Sequence, residues 1–123
     1  MPYTHAVEGK VVHISWHGVV SKEDLRTLGE EMPRIVEAIG FVPDLLHTFE
    51  RMERYSFQPI SVYMFSLLRK RVQISRPSRS ALVATTPETK SLARIFKMVN
   101  RTPNLEMAIF GSESAARRWL ARE

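Results

Sequence analysis

The sequence predicts an α/β fold: a single mixed, mostly parallel sheet of about five strands with four helices, ordered β-β-α-β-α-β-α-β-α. Three observations lead there. Val12, Ile14 and Trp16 alternate with His13, Ser15 and His17, and Glu8-Gly9 before them supplies a turn, which marks a hairpin. From Ser21 onward, helix-period stretches alternate with short apolar runs, the alternation that makes parallel sheets. The connections are short, without repeats or linkers, so residues 1–123 read as one domain.

Each element has its own warrant. Tyr3 to Glu8 and Lys10 to His17 are the hairpin strands, with Val12, Ile14 and Trp16 inward and His13, Ser15 and His17 outward. Ser21 is a good N-cap with Asp24 three residues on, and Gly40 is a natural C-terminal cap. Between them Leu25, Leu28, Met32, Ile35, Val36 and Ile39 form a helical stripe. Pro33 inside it predicts a kink or a local break. A strand follows at about Asp44 to Phe49, with FERMER after it read as a charged loop. A second helix is expected from about Phe57 to Val72. Ser80 to Thr85 reads as a buried strand, and Thr86-Pro87-Glu88 opens a helix reaching about Arg101. NLEMAIF is the last strand. The last helix is capped by Ser112, with Ala115, Ala116, Trp119 and Leu120 inward.

Composition narrows the function classes. The chain has 123 residues, 44% hydrophobic and 25% charged, and no cysteine. Disulfides, thiolate metal sites and cysteine nucleophiles are excluded, and a reducing cytoplasm is the compartment that fits. MPYTHAVEGK lacks the apolar core of a secretory signal. No apolar run approaches the roughly 20 residues of a membrane span. The net charge of +5 fits either an acidic partner or a solvated surface rich in arginine.

Three stretches carry a resemblance to a known family. LLHTFERMERYSFQPISVYMF has the shape of a strand, a short loop and a helix. The first helix is interrupted by a proline, and the ending FGSESAARRWL bears Ala and Trp-Leu. In these the chain resembles the STAS fold family, which includes the bacterial anti-sigma-factor antagonists, over nearly its whole length. The resemblance implies a non-enzymatic, cytoplasmic regulatory module that works through protein contacts and needs no cofactor. In the antagonists a serine at the start of that helix is phosphorylated, and Ser56 is its nearest equivalent here. The motif departs from the family's Asp-Ser pattern: Tyr55 precedes the serine, and Phe57, Gln58 and Pro59 follow it. The chain thus resembles a divergent member without the usual switch motif.

Each candidate site has two readings. Ser56 is a phospho-acceptor or the cap of its helix, accepting a backbone N–H. In the expected helix, Ile60, Met64, Leu67 and Leu68 form a stripe for the sheet. Tyr55, Phe57, Val62, Tyr63 and Phe65 are then core between helices or an interface for a protein partner or a second copy. Arg69, Lys70, Arg71, Arg76 and Arg79 either oppose a helix dipole or bind an anion such as nucleic acid or anionic lipid. Lys90, Arg94, Lys97 and Arg101 read as a solvated helix face or a second basic set. His13 and His17, with His5 across the hairpin, form a polar face or a metal-binding group. His47 with Glu50 and Glu53 is a charged strand end or an acid–base pair. No Ser-His-Asp elbow, HExxH or phosphate-binding glycine loop is present, so no catalytic residue is assigned.

Overall fold

The computed structural model describes residues 2–58, 77–99 and 104–122. The expected helix at 57–72 therefore lies outside the described residues beyond Gln58, and with it Val62, Tyr63, Phe65, Arg69, Lys70, Arg71 and Arg76. Arg101 lies outside them too.

The described elements are β1 (Tyr3–Glu8), β2 (Val11–Val20), α1 (Lys22–Ile39), β3 (Asp44–Tyr55), β4 (Ser78–Val83), α2 (Pro87–Val99), β5 (Leu105–Phe110) and α3 (Glu113–Leu120). The five strands form one sheet in the order β1-β2-β3-β4-β5. β1 and β2 pair antiparallel and every other pair is parallel, the expected mixed sheet with an antiparallel edge.

Local chemistry sets the helix ends. Ser21 accepts from the Asp24 N–H at 3.3 Å, and the Asp24 carboxylate accepts from the Ser21 N–H at 2.7 Å. This reciprocal box satisfies two donors that the first turn would otherwise leave open. Gly40 closes α1 with φ 81°, a left-handed conformation in which a side chain would be strained. α1 runs unbroken through Pro33, so the alternative of a local break does not occur. Thr86 and Thr89 form a second reciprocal box at 3.1 and 3.0 Å ahead of Pro87. The Ser112 hydroxyl caps α3, accepting from the Ala115 N–H at 3.2 Å.

Two cores lie on opposite faces of the sheet. Residues paired across neighbouring strands share a face, so Trp16 lines up with Tyr3, and Ile14 with His47 and Leu82; Val12 and Phe49 join the same core. Leu25, Leu28 and Met32 of α1 and Leu92, Ala93 and Phe96 of α2 cover this face. The other face carries Leu46, Ala81 and Val83, covered by Ala116, Trp119 and Leu120 of α3. α3 is short and packs over β4 and its two neighbours, so among the described residues no helix packs on this face along β1.

The third strand corrects the sequence reading. It runs to Tyr55, so FERMER is strand and not a charged loop. Its partner β2 also continues past His17 to Val20. Two register shifts explain why alternation failed as a guide. Ser15 pairs with Thr48 but His17 pairs with Arg51, and Gly18 pairs with Met52 but Val19 with Arg54. Each shift adds a residue to β3, which resets the in–out phase. Phe49 and Met52 are both buried although they are three apart. Gly18 sits at the second shift with φ 67°, a value that favours glycine.

Candidate functional site

The open part of the sheet face holds a polar groove of about 540 Å³. Thr4, His13, Ser15, His17, Thr48, Glu50 and Arg51 line it from the strands, and Glu113 lines it from the start of α3. His13 is half-buried at its centre. Its Nε2 lies 3.0 Å from the Thr48 hydroxyl and 3.3 Å from the Ser15 hydroxyl. Its Nδ1 lies 3.4 Å from Arg117 Nη2 and 3.7 Å from a Glu8 carboxylate oxygen. Arg117 also donates to Glu8 at 3.1 Å and to Glu113 at 2.8 Å. These two carboxylates, Glu113 foremost, push the Arg117 guanidinium pKa up, so Arg117 stays charged and clasps α3 to the hairpin.

The histidine cluster does not assemble as the sequence allows. His5 pairs with Ile14, which lies on the opposite face from His13. Among the described residues no group of three metal-binding side chains converges.

The His47/Glu50 pair is likewise corrected. His47 pairs with Ile14 and Leu82, on the face covered by α1 and α2, while Glu50 is exposed in the groove on the other face. Nδ1 of His47 accepts from the Trp16 indole N–H at 3.1 Å, and its ring stacks near Trp16 and Phe49. Burial, with a smaller contribution from His13, pulls the His47 pKa down to about 4. It is a half-buried, neutral histidine holding an indole. Tyr3 completes this layer: its ring tilts against Trp16 and its hydroxyl donates to Glu31 of α1. Burial first, then that carboxylate, raises the Tyr3 phenol pKa.

Of the expected basic set Arg69, Lys70, Arg71, Arg76 and Arg79, the described residues include Arg79. Its guanidinium donates to the backbone carbonyls of Trp119 at 2.9 Å and Arg122 at 2.7 Å, and lies over the Trp119 ring. It caps the carbonyl end of α3. Arg79→Ala should lower unfolding free energy by about 1–2 kcal/mol, since two charge-assisted bonds at a partly exposed site are lost. Thermal melts of the variant check this, and an unchanged midpoint would contradict the clasp.

The end of β3 is the other place where expected residues meet. Tyr55 is half-buried, and Phe57 is buried in the main core with its ring 5.1 Å from that of Tyr55. Phe57 is therefore core and not free surface. Ser56 is exposed; its N–H donates to the Val20 carbonyl at 2.9 Å and its hydroxyl to the same oxygen at 3.4 Å.

Comparison with known proteins agrees with this architecture. A family model described as SpoIIAA-like matches residues 11–121. The chain belongs to the SpoIIAA-like family. A solved structure with a SpoIIAA-like fold, an uncharacterized protein of the DUF3478 family from Shewanella loihica PV-4, superposes with a TM-score of 0.57. It shares 13% identity and the alignment covers 97% of this chain and 92% of that one, a likeness of fold. No curated protein matches the chain. Within the SpoIIAA-like fold, Ser56 stands where β3 ends, beside the end of β2. Among the described residues no helix is long and apolar enough to cross a membrane.

Sequence reasoning missed most of the groove. Thr4, Glu8, Thr48, Arg51, Glu113 and Arg117 come together only through strand register and the docking of α3. The one legible signal was the alternation that put His13, Ser15 and His17 on a common face.

Proposed function

We propose that this SpoIIAA-like domain is a non-enzymatic, cytoplasmic regulatory module that binds a protein partner, or a second copy of itself, through residues 54–71. The observation that supports this reading is the exposed end of the β2–β3 pair. There an exposed Ser56 is tied by both its N–H and its hydroxyl to Val20, next to Val19, an apolar side chain 40% exposed. A serine hydroxyl and an apolar side chain at a hydrogen-bonded strand end give a contact surface that a phosphate on Ser56 would oppose by desolvation and charge. The separation of His47 from Glu50 by the sheet supports a binding role over an acid–base one.

Affinity capture from lysate at low and moderate salt tests the proposal, using the native chain, Val19→Glu and Ser56→Asp. Apolar contacts respond little to salt, whereas phosphate contacts weaken steeply. The expected result is one protein, or the chain itself, retained by the native domain at both salts and lost with either variant. Retention of nucleic acid or anionic lipid at low salt alone would overturn the reading in favour of a basic surface. Retention unaffected by both variants would remove residues 54–71 from the contact.

A further inference from the structure

The polar groove lies on the sheet face, and none of the described residues 54–58 lines it. Its floor has an unusual charge arrangement. The first register shift in β3 turns two consecutive residues, Glu50 and Arg51, toward the same groove, where regular alternation would have sent one of them into the core. Both are exposed, and among the described residues neither has a side-chain hydrogen bond or ion pair. Of the other charges at the groove, Arg117 is shared between Glu8 and Glu113, so this set keeps one net negative charge. Beside this open pair sits the tied set of His13, Ser15 and Thr48, with hydroxyls within 3.0–3.3 Å of the imidazole.

An open carboxylate and an open guanidinium side by side suit a ligand that carries the opposite charges side by side. A simple anion placed on Arg51 would meet Glu50 and Glu113, and a simple cation on Glu50 would meet Arg51. A zwitterion satisfies both at once, with its carboxylate on the Arg51 fork and its ammonium on Glu50. The neighbouring hydroxyls and imidazole would then receive a polar side chain. We propose that the groove is a binding site for a free α-amino acid with a small polar side chain. Binding of this kind would join a small-molecule input to the interaction module.

The test is titration of the whole domain with L-serine, L-threonine, L-asparagine and L-glutamine, followed by backbone amide NMR. Two analogues of serine isolate the charges: 3-hydroxypropionate lacks the ammonium and ethanolamine lacks the carboxylate. The expected result is that at least one amino acid shifts the amides of Ser15, His17, Thr48 and Arg51 saturably. Each single-charge analogue should bind at least tenfold more weakly than serine, or not at all. Arg51→Gln and Glu50→Gln should each weaken binding tenfold or more while the remaining spectrum stays that of a folded domain, because both side chains are exposed. No saturable shift with any of the four, equal binding of the analogues, or unchanged binding by both variants would overturn the proposal. None of these outcomes bears on partner capture through residues 54–71.

Discussion

Trp16→Ala should lower the unfolding free energy by about 3–5 kcal/mol, the range for truncating a large aromatic in a core. Trp16 is 1% exposed and is the largest fully buried side chain of the sheet. Its ring lies 5.2 Å from that of Tyr3 and 6.5 Å from that of Phe49, so alanine leaves a void between the edge hairpin and the centre of the sheet. The substitution also strands the Nδ1 acceptor of His47, which has the indole N–H as its partner at 3.1 Å. Helix α1 would lose support as well, because Tyr3 holds Glu31 from the same layer. Chemical denaturation checks the value. Trp16→Phe separates the two contributions, since it keeps a ring but not the donor, and should cost less than alanine. A loss below about 1 kcal/mol for Trp16→Ala would mean that the layer is not the keystone of the main core.

Stability should fall as pH drops from about 6.5 to about 4, and His47 should account for about 3 kcal/mol of that fall. The sign follows from burial. His47 is held neutral in the fold with a pKa near 4, while in the unfolded chain it titrates near 6.5. Between those values the unfolded state binds more protons, so lowering pH favours unfolding; above them the contribution is constant. His47→Gln keeps an acceptor for the Trp16 indole and removes the titration. Denaturation at a series of pH values should give the variant a flatter profile through this window than the native chain. Carboxylates titrate in both proteins, so the difference between the two profiles isolates His47. Identical slopes would contradict the assignment.

The residues explain which parts of this fold could be read in advance. The boundaries of α1 were legible because Ser21, Asp24 and Gly40 are local signals, satisfied within a few residues of one another. The face of β2 was legible because Val12, Ile14 and Trp16 alternate without interruption. β3 was not, because its two added residues break the period two on which a strand is recognised, so FERMERY looks like a charged loop. Ending the strand at Phe49 also let His47 and Glu50 be paired, whereas three residues apart in a continuous strand they face opposite ways, and only the shift shows that Arg51 returns to the face of Glu50. The capping contact of Arg79 was hidden because its partners, the carbonyls of Trp119 and Arg122, lie some forty residues away. The groove was hidden for a similar reason, since Glu8 and Arg117 meet across 109 positions.

The proposed contact through residues 54–71 is tested most directly by hydrogen–deuterium exchange of the domain alone and of its captured complex. Exchange should slow at the end of β3 and through residues 54–71 when the partner is bound, with β4 and β5 unchanged, and Ser56→Asp should abolish the difference. Slowed exchange confined to other segments, with residues 54–71 exchanging as in the free domain, would contradict the account.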